Sequence, residues 1–515
     1  MTAVTIYNAP RDLSRSLAVI NTTMDSLTSD LKSTSRYPTT AKEMLDDEEQ
    51  QRTTGRRISD LSIARNIIRA HMDVQLRREA SEEVRRRYRE QGVNRPIKNK
   101  GWTEVTILLP GGLRLKMKTP YLRPSRNGLP GRPRGTGKRR EGGAGCYPVL
   151  ERLGIECEAT PLTRSMVSRQ TVLCSSYAEA QEQLKREGLD LDVSQMVALT
   201  TYTGEVALKL RNEELLEALE APLPEESMFA GKRIRVSIDG GRARTRVTFR
   251  TSKKGKNGRR PFVLEWREPR VITIDVLDET GEMDRRWRPI YEVSTGDADQ
   301  VFELFSGLLR LVGAHLASQI VFVSDGAKWI WERTDKLFER AGISPDQVEF
   351  ILDFYHATEH ISDALKAYKS LKPQQRTAYL RIFSKELLEP DGPAKVIQKL
   401  RAFSRGRRAK EMNKHINYLV RHLEAGRLRY HELRQAKVPI GSGVVESAIR
   451  RVVNLRFKSA SQCWNVERME ALMYLRAILK SGRWDDAMAA QLDLRYFLKT
   501  AQPDAVDNGV FENAA

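Results

Sequence analysis

The sequence predicts an α/β fold with parallel strands, and residues 319–360 carry most of that prediction. Ile320 to Val323 form a short apolar run that stops at Asp325-Gly326. Trp329, Ile330, Leu337 and Phe338 then recur at helical spacing, and a second apolar run, Val348 to Leu352, stops at Asp353. Strand, helix, strand is the βαβ pattern of parallel sheets. Such strands are buried on both faces and read as continuous apolar runs. A third run lies upstream. Lys232 to Asp239 reads KRIRVSID, alternates Ile234, Val236 and Ile238, and again ends in Asp, followed by Gly240-Gly241. Ligands bind at the carboxyl ends of strands in open α/β sheets. Each Asp alone also fits a turn or a helix N-cap. Three in one predicted sheet point to a metal-binding carboxylate cluster.

The totals bound the rest. A chain of 515 residues holds about two to four domains. A net charge of +20, with an isoelectric point near 9.8, makes a long polyanion such as DNA or RNA the simplest partner. The four cysteines, Cys146, Cys157, Cys174 and Cys463, form no C-x-x-C pair, which argues against a zinc ribbon and suits a reducing cytoplasm. No stretch approaches the ~20 apolar residues that span a bilayer, so no membrane partner is expected. The first residues lack the charged-then-apolar order of a signal peptide.

Residues 1–58 read as a partly disordered region with one amphipathic helix through Leu13, Leu17, Ile20, Met24 and Leu27. Residues 59–222 read as a basic, mainly helical DNA-binding region. Its first helical part, Ser59 to about Gln91, ends in the run Val84 to Arg89, a solvated face or a phosphate-facing one. Thr103 to Leu122 has the pattern of a β-hairpin turned at Gly111-Gly112. Tyr121 to Arg140 carries Arg123, Arg126, Arg132, Arg134, Lys138, Arg139 and Arg140 without an acid among Gly and Pro, as a DNA-tracking arm or a solubilising linker would. Helices flanking a break near Gly188 fit a helix-turn-helix-like unit or an ordinary αα-hairpin. Residues 221–226, APLPEE, are the best linker.

The α/β core is expected over 232–353. After Asp239 come a second strand at Arg244 to Arg250, a basic turn with Lys253, Lys254 and Lys256, a third strand at Val271 to Leu277, and a helix at Phe302 to Leu316. With the later strand-helix-strand, this order resembles the ribonuclease H arrangement. Residues 354–440 show helical periodicity throughout, with a further basic stretch at 401–410. Residues 441–499 return to the core: Gly441-Ser442-Gly443 breaks the chain, a helix carrying Glu446 opens, and another follows Trp464. Residues 500–515 read as a disordered tail.

Asp239, Asp325 and Glu446 are far apart in sequence, but a sheet can gather strand ends. Two divalent ions held by carboxylates activate an attacking oxygen and stabilise a leaving one in phosphodiester chemistry. Carboxylates suit Mg²⁺ and Mn²⁺, and nothing in the sequence supports thiolate zinc. Asp239 and Asp325 are expected within one metal-ion span, with Glu446 close by. Asp353 and His356 form a D-x-x-H pair, with His360 one turn on. This pair is an accessory to the metal site or simply an N-cap followed by structural histidines.

Asp239-Gly240, Ser324-Asp325-Gly326, Asp353-Phe354-Tyr355-His356 and Gly441-Ser442-Gly443-Val444-Val445-Glu446 occur in this order. They resemble the motifs of DDE transposases of bacterial insertion sequences, in the group related to the Mutator superfamily. Arg456, Lys458 and Trp464, then Leu475-Arg476 and Ser481-Gly482-Arg483-Trp484, are similar to that group's C-terminal block. The likeness covers about Lys232 to Trp484. It departs from the group near Cys146, where metal-ligand spacing is missing, and at 459–463, which lack a glycine before the tryptophan. The resemblance implies a ribonuclease H-like core interrupted by an all-helical insertion, and two Mg²⁺ or Mn²⁺ ions held by the triad Asp239, Asp325 and Glu446. It implies Asp353 and His356 as accessories, and DNA contact through Arg456, Lys458 and Trp464. It further implies cleavage at terminal inverted repeats of double-stranded DNA, strand transfer into target DNA, a homodimer or higher oligomer on DNA, and a nucleoid-associated place in the bacterial cytoplasm. The alternatives are a ribonuclease H-fold nuclease without strand transfer and an inactive DNA-binding regulator. The long insertion and basic N-terminal half disfavour the first; the intact acids disfavour the second.

Overall fold

The computed structural model describes residues 10–33, 41–90, 96–125, 145–248, 261–404, 409–458 and 462–493. By contact the chain forms two compact units, Met1–Thr203 and Gly204–Ala515.

In the first unit the amphipathic helix is Pro10–Ser33, and a second helix, Ala41–Met72, starts well before Ser59. Leu13 and Ile20 from the first, and Leu61, Ala64 and Ile68 from the second, share a core with the hairpin β1 (Ile97–Leu108) and β2 (Arg114–Pro124). Strand β2 alternates as a half-buried strand should, with Leu115, Met117 and Thr119 fully buried. The hairpin turn is longer than the two residues expected. Leu109 N–H still bonds to Leu113 O at 2.9 Å, and Pro110, Gly111 and Gly112 form the loop. Asp60 fixes it by accepting from Gly111 N–H at 2.8 Å and Leu113 N–H at 3.0 Å. The basic run ends the helix Val74–Glu90, where Arg87 is ion-paired with Glu151 and Val84 and Tyr88 are buried.

The second unit is a mixed α/β structure on a five-stranded sheet. Among the described residues its strands are β3 (Arg233–Gly240), β4 (Ala243–Thr248), β5 (Phe262–Arg267), β6 (Arg270–Val276), β7 (Ile290–Ser294), β8 (Gln319–Ser324) and β9 (Val348–Leu352). The sheet order is β7-β6-β3-β8-β9. Strand β6 runs antiparallel to both its neighbours, β7 and β3, and β3, β8 and β9 run parallel. Ile234, Val236, Ile238, Ile320, Val321, Phe322 and Val323 are all fully buried, as continuous apolar strands between two layers must be. Arg235 and Asp275, facing across β3 and β6, form a buried two-pronged pair at 2.8 and 3.2 Å.

Two expectations about this sheet need correction. The strand after Asp239 does not enter it: β4 pairs with β5 in a separate two-stranded ribbon. The antiparallel partner of β3 is β6, and its neighbour β7 was not foreseen. Arginines alternate along β4 and every residue of β5 is exposed, so this ribbon cannot sit in a sheet covered on both faces.

Between Asp353 and Gly441 the described regular elements are helices: Phe354–Ala367, Pro373–Glu386, Gly392–Phe403, Ala409–Glu424 and Tyr430–Gln435. Their apolar faces share a core with Val321, Val323 and Ile351 of the sheet. The chain returns along β9, where Leu352 N–H bonds to Arg427 O at 3.0 Å and Tyr430 Oη donates to Leu352 O at 2.9 Å. The helix Val466–Lys480 is buried from Ala471 to Ile478 and packs on β7. Among the described residues no helix is long and apolar enough to cross a membrane.

Candidate active site

Strand register gathers the three aspartates at one end of the sheet. Parallel β3 and β8 pair from Arg233↔Gln319 to Val236↔Phe322. Continued to the strand ends, this register sets Asp239 beside Asp325. Strands β8 and β9 pair up to Ser324↔Leu352, so the next step sets Asp325 beside Asp353. The strand ends are tied laterally: Ser324 Oγ donates to Ile238 O at 2.8 Å, and Asp353 N–H bonds to Ser324 O at 2.9 Å.

The aspartates differ in their surroundings. Asp239 Oδ1 accepts from Gly240 N–H at 2.6 Å, and Asp325 Oδ1 accepts from Ala327 N–H at 3.0 Å. Burial pushes the Asp239 carboxyl up to about 6; the negative charges of Asp325 and Glu446 push the same way, against the Gly240 N–H and His356. Asp325 is raised too, first by burial and then by Glu268 and Asp353, against the Ala327 N–H and His356. The Asp239 carboxyl therefore lies within reach of the charges of Asp325, Glu446 and His356. Asp353 is fully buried and does something else. Its Oδ1 accepts from His356 N–H at 3.0 Å, capping the helix Phe354–Ala367, and its Oδ2 accepts from Ser442 N–H. The N-cap reading of Asp353 thus holds, with an added tie to the Gly-Ser-Gly loop.

That loop opens the short helix Gly443–Ile449, with Glu446 in its first turn and exposed. The helix runs on through a π-helical turn, Arg450–Asn454, to Leu455–Phe457. Gly241 lets it approach β3, because a Cβ there would meet Val453 Cγ1 at 3.1 Å and Ile449 Cγ2 at 3.4 Å. The result is an open cleft of about 410 Å³ lined by Asp239, Gly240, Gly241, Arg242, Glu446, Ile449, Asn454 and Lys458. On the other side of Asp325, the helix Ala409–Glu424 closes over Gly326, where any Cβ would overlap the Tyr418 ring. Arg421 donates to Gly326 O at 3.0 Å.

Chemically the donors suit a hard divalent cation: carboxylates, two of them half-buried and raised partly by neighbouring carboxylates. The side chains do not close into a ready-made cage. Among the described residues no three His, Cys, Asp or Glu groups stand together tightly enough to hold an ion. A larger cavity of about 480 Å³, beside Arg211, Ser294 and Glu470, lacks the strand-end aspartates. Chemistry, not size, singles out the smaller cleft.

The expected DNA contacts fall out unevenly. Lys458 lines the cleft with Asp239 and Glu446. Arg123 is half-buried on β2 of the first unit. Arg456 and Trp464, expected at a DNA surface, are 1% and 8% exposed, with the Arg456 guanidinium 5.1 Å over the Trp464 ring. They are interior residues in this structure, because Trp464 is stitched to β4: its N–H bonds to Arg244 O, and Arg246 N–H to its carbonyl, each at 2.9 Å. Arg126, Arg132, Arg134, Lys138, Arg139, Arg140, Lys253, Lys254 and Lys256 lie outside the described residues. Sequence reading passed over Arg242 and Asn454, which follow Asp239 and Glu446 closely in the chain. It also missed Tyr418 and Arg421, for which the sequence holds no cue.

No family model, curated protein or solved structure matches the chain.

Proposed function

We propose that the chain is a DDE-type DNA transposase that cuts double-stranded DNA at transposon ends and joins them to target DNA. The observation that carries this reading is the register of Asp239 and Asp325 at the carboxyl ends of adjacent central strands, with Glu446 on the same cleft. The strand order β7-β6-β3-β8-β9, with two antiparallel and two parallel pairings, supports a ribonuclease H-like core. The interrupting helices between Asp353 and Gly441 agree with the group's architecture.

In this reading Asp239, Asp325 and Glu446 are the ligands of two Mg²⁺ or Mn²⁺ ions. Bound there, the ions would activate the attacking oxygen and stabilise the leaving one. The chain's own contribution is positional. The sheet holds the two aspartates side by side in a desolvated setting, where their charge repulsion favours a cation. Asp353 holds the loop that aims Glu446. Lys458 and Arg242 stand beside the acids, where a phosphate backbone would run. The proposed setting is a homodimer or higher oligomer on DNA in the bacterial cytoplasm.

The test is incubation of the full chain with Mg²⁺ or Mn²⁺ and duplex DNA containing the inverted repeats that bracket its gene. Joined products support the transposase. Cut but never joined products mean a nuclease, and binding without cutting means a regulator. Either of the last two outcomes overturns the proposal.

A further inference from the structure

The ribbon of β4 and β5 has a composition its own folding does not require. Phe262, Leu264 and Trp266 of β5 are 45%, 48% and 61% exposed. They alternate along one strand and so share one face. Register sets Arg244 opposite Trp266 and Arg246 opposite Leu264 on that face, with the Arg244 guanidinium 5.3 Å over the Trp266 ring. Among the described residues the paired part of this face carries no acid; Glu265 is on the other one, opposite the buried Thr245, and Glu268, just past β5, lies against Gly240. A lone two-stranded ribbon is marginal in water. This one is held in place along β4 by the two backbone bonds to Trp464, so its exposed face is a fixed surface.

The ribbon also has a telling location. It leaves β3 through Gly241 and Arg242, immediately after Asp239. The near end of the ribbon therefore joins the chain at Gly241 and Arg242, which line the carboxylate cleft.

We propose that this face is a platform for an unpaired DNA strand extending from the cleft, with bases stacked on Trp266 and Phe262 and phosphates met by Arg244 and Arg246. The proposal rests on the DNA-cleaving reading of the site and adds the form of DNA the site takes. Aromatic rings interleaved with arginine are how proteins bind single strands, because every base has a π-face. A base inside a duplex is already stacked at ~3.4 Å and offers none. Trp266 and Phe262 are four residues apart on one strand and so stand about 13 Å apart, a spacing that suits an extended, splayed strand and not a duplex stack. A protein partner would find an apolar face studded with unopposed arginines, a poorer match than a polyanion.

The experiment uses the full chain in EDTA, which separates binding from cleavage. Fluorescein-labelled single-stranded and duplex oligonucleotides of one sequence are titrated with wild type, Trp266→Ala and Trp266→Phe. Trp266 is exposed, and melting curves check that each variant is folded. Trp266→Ala should weaken single-strand binding about tenfold or more, the order of one lost stacked base, and change duplex binding less than twofold. Trp266→Phe should restore most of the loss. Intact duplex binding with no Trp266 effect on the single strand overturns the platform alone. So does a Trp266→Ala loss that is equal on both DNAs, or a loss of self-association in sedimentation. Failure of wild type to bind either DNA overturns the DNA reading and the platform with it.

Discussion

Asp353 and Ser442 are joined by a buried hydrogen bond across 89 residues of chain: the Ser442 N–H donates to Asp353 Oδ2. The same carboxylate caps its own helix through Oδ1. One side chain therefore ties the end of β9 to the loop that begins the Glu446 helix.

Asp353→Asn tests whether that tie positions Glu446. An amide has one acceptor oxygen, so it can serve His356 N–H or Ser442 N–H but not both. The abandoned N–H is buried, which costs about 1–3 kcal/mol. The expected variant is folded but loosened at 441–446, and hydrogen exchange should show loss of protection at the Ser442 amide. End cleavage should fall by far more than the melting curve would explain. Unchanged protection at Ser442 would mean that the bond does not hold the loop.

Asp239→Asn should raise stability while removing activity. The folded-state carboxyl is raised to about 6, chiefly by burial. Its contribution to stability is therefore complete below the unfolded value near 4 and is lost as pH rises through about 6. At pH 7 the metal-free protein carries a desolvated charge, and Asn relieves it by about 1–2 kcal/mol after allowance for partial exposure. In EDTA the variant should melt above wild type at pH 7, and the gap should shrink below pH 4. Mg²⁺ should raise the wild-type melting temperature and leave the variant unmoved. A variant less stable than wild type at pH 7 would contradict the strain at this position.

The strand ends were legible in the sequence because β8 is a continuous buried apolar run, β3 alternates buried isoleucine and valine with other residues, and β9 ends in buried Ile351 and Leu352, each followed by Asp. Strand β7 was not, because Glu292 stands in its middle. That carboxylate is fully buried and neutralised by Arg211 at 2.7 Å, a partner 81 residues away that no local pattern reveals. The Asp353–Ser442 bond escaped for the same reason. Arg456 and Trp464 looked like surface residues because charge and an aromatic beside a basic stretch match a nucleic-acid surface. Their mutual stacking and the backbone bonds to β4 are tertiary facts.

Acid should weaken the protein through histidines buried in the neutral form. His71 is lowered to about 4 by burial, and it bonds Ile67 O at 2.8 Å and Thr119 Oγ1 at 3.0 Å. His422 is lowered to about 3, again first by burial and then by Arg421 and Arg427. Depressed folded-state values mean that this stability is complete above the unfolded value near 6.5 and is lost as pH falls towards 4. His71 alone accounts for about 3 kcal/mol over that window. His71→Gln keeps a donor and an acceptor but does not titrate. Its melting temperature should lie below wild type at pH 7.5, with the difference narrowing or reversing by pH 4.5. A constant difference between these pH values would exclude His71 as a source of acid sensitivity.

Glu446→Gln separates the catalytic role of this residue from a structural one. Glu446 is exposed in the first turn of its helix, so a purely local role is worth about 0.3–1 kcal/mol through the helix dipole. The carboxylate also raises Asp239 from across the cleft, and Lys458 shares the same wall. Gln keeps the shape and removes the charge that would hold a divalent ion. The expected protein melts within about 1 kcal/mol of wild type, binds end DNA with unchanged affinity in EDTA, and yields no Mg²⁺-dependent cleavage. The contrast with Asp239→Asn is part of the test. Both variants should be inactive, but only the half-buried Asp239 position should become more stable, because of these two only Asp239 carries a partly desolvated charge. Substantial cleavage by Glu446→Gln on a preparation whose wild type cuts would remove Glu446 from the ligand set and leave the two aspartates as a pair without a third acid.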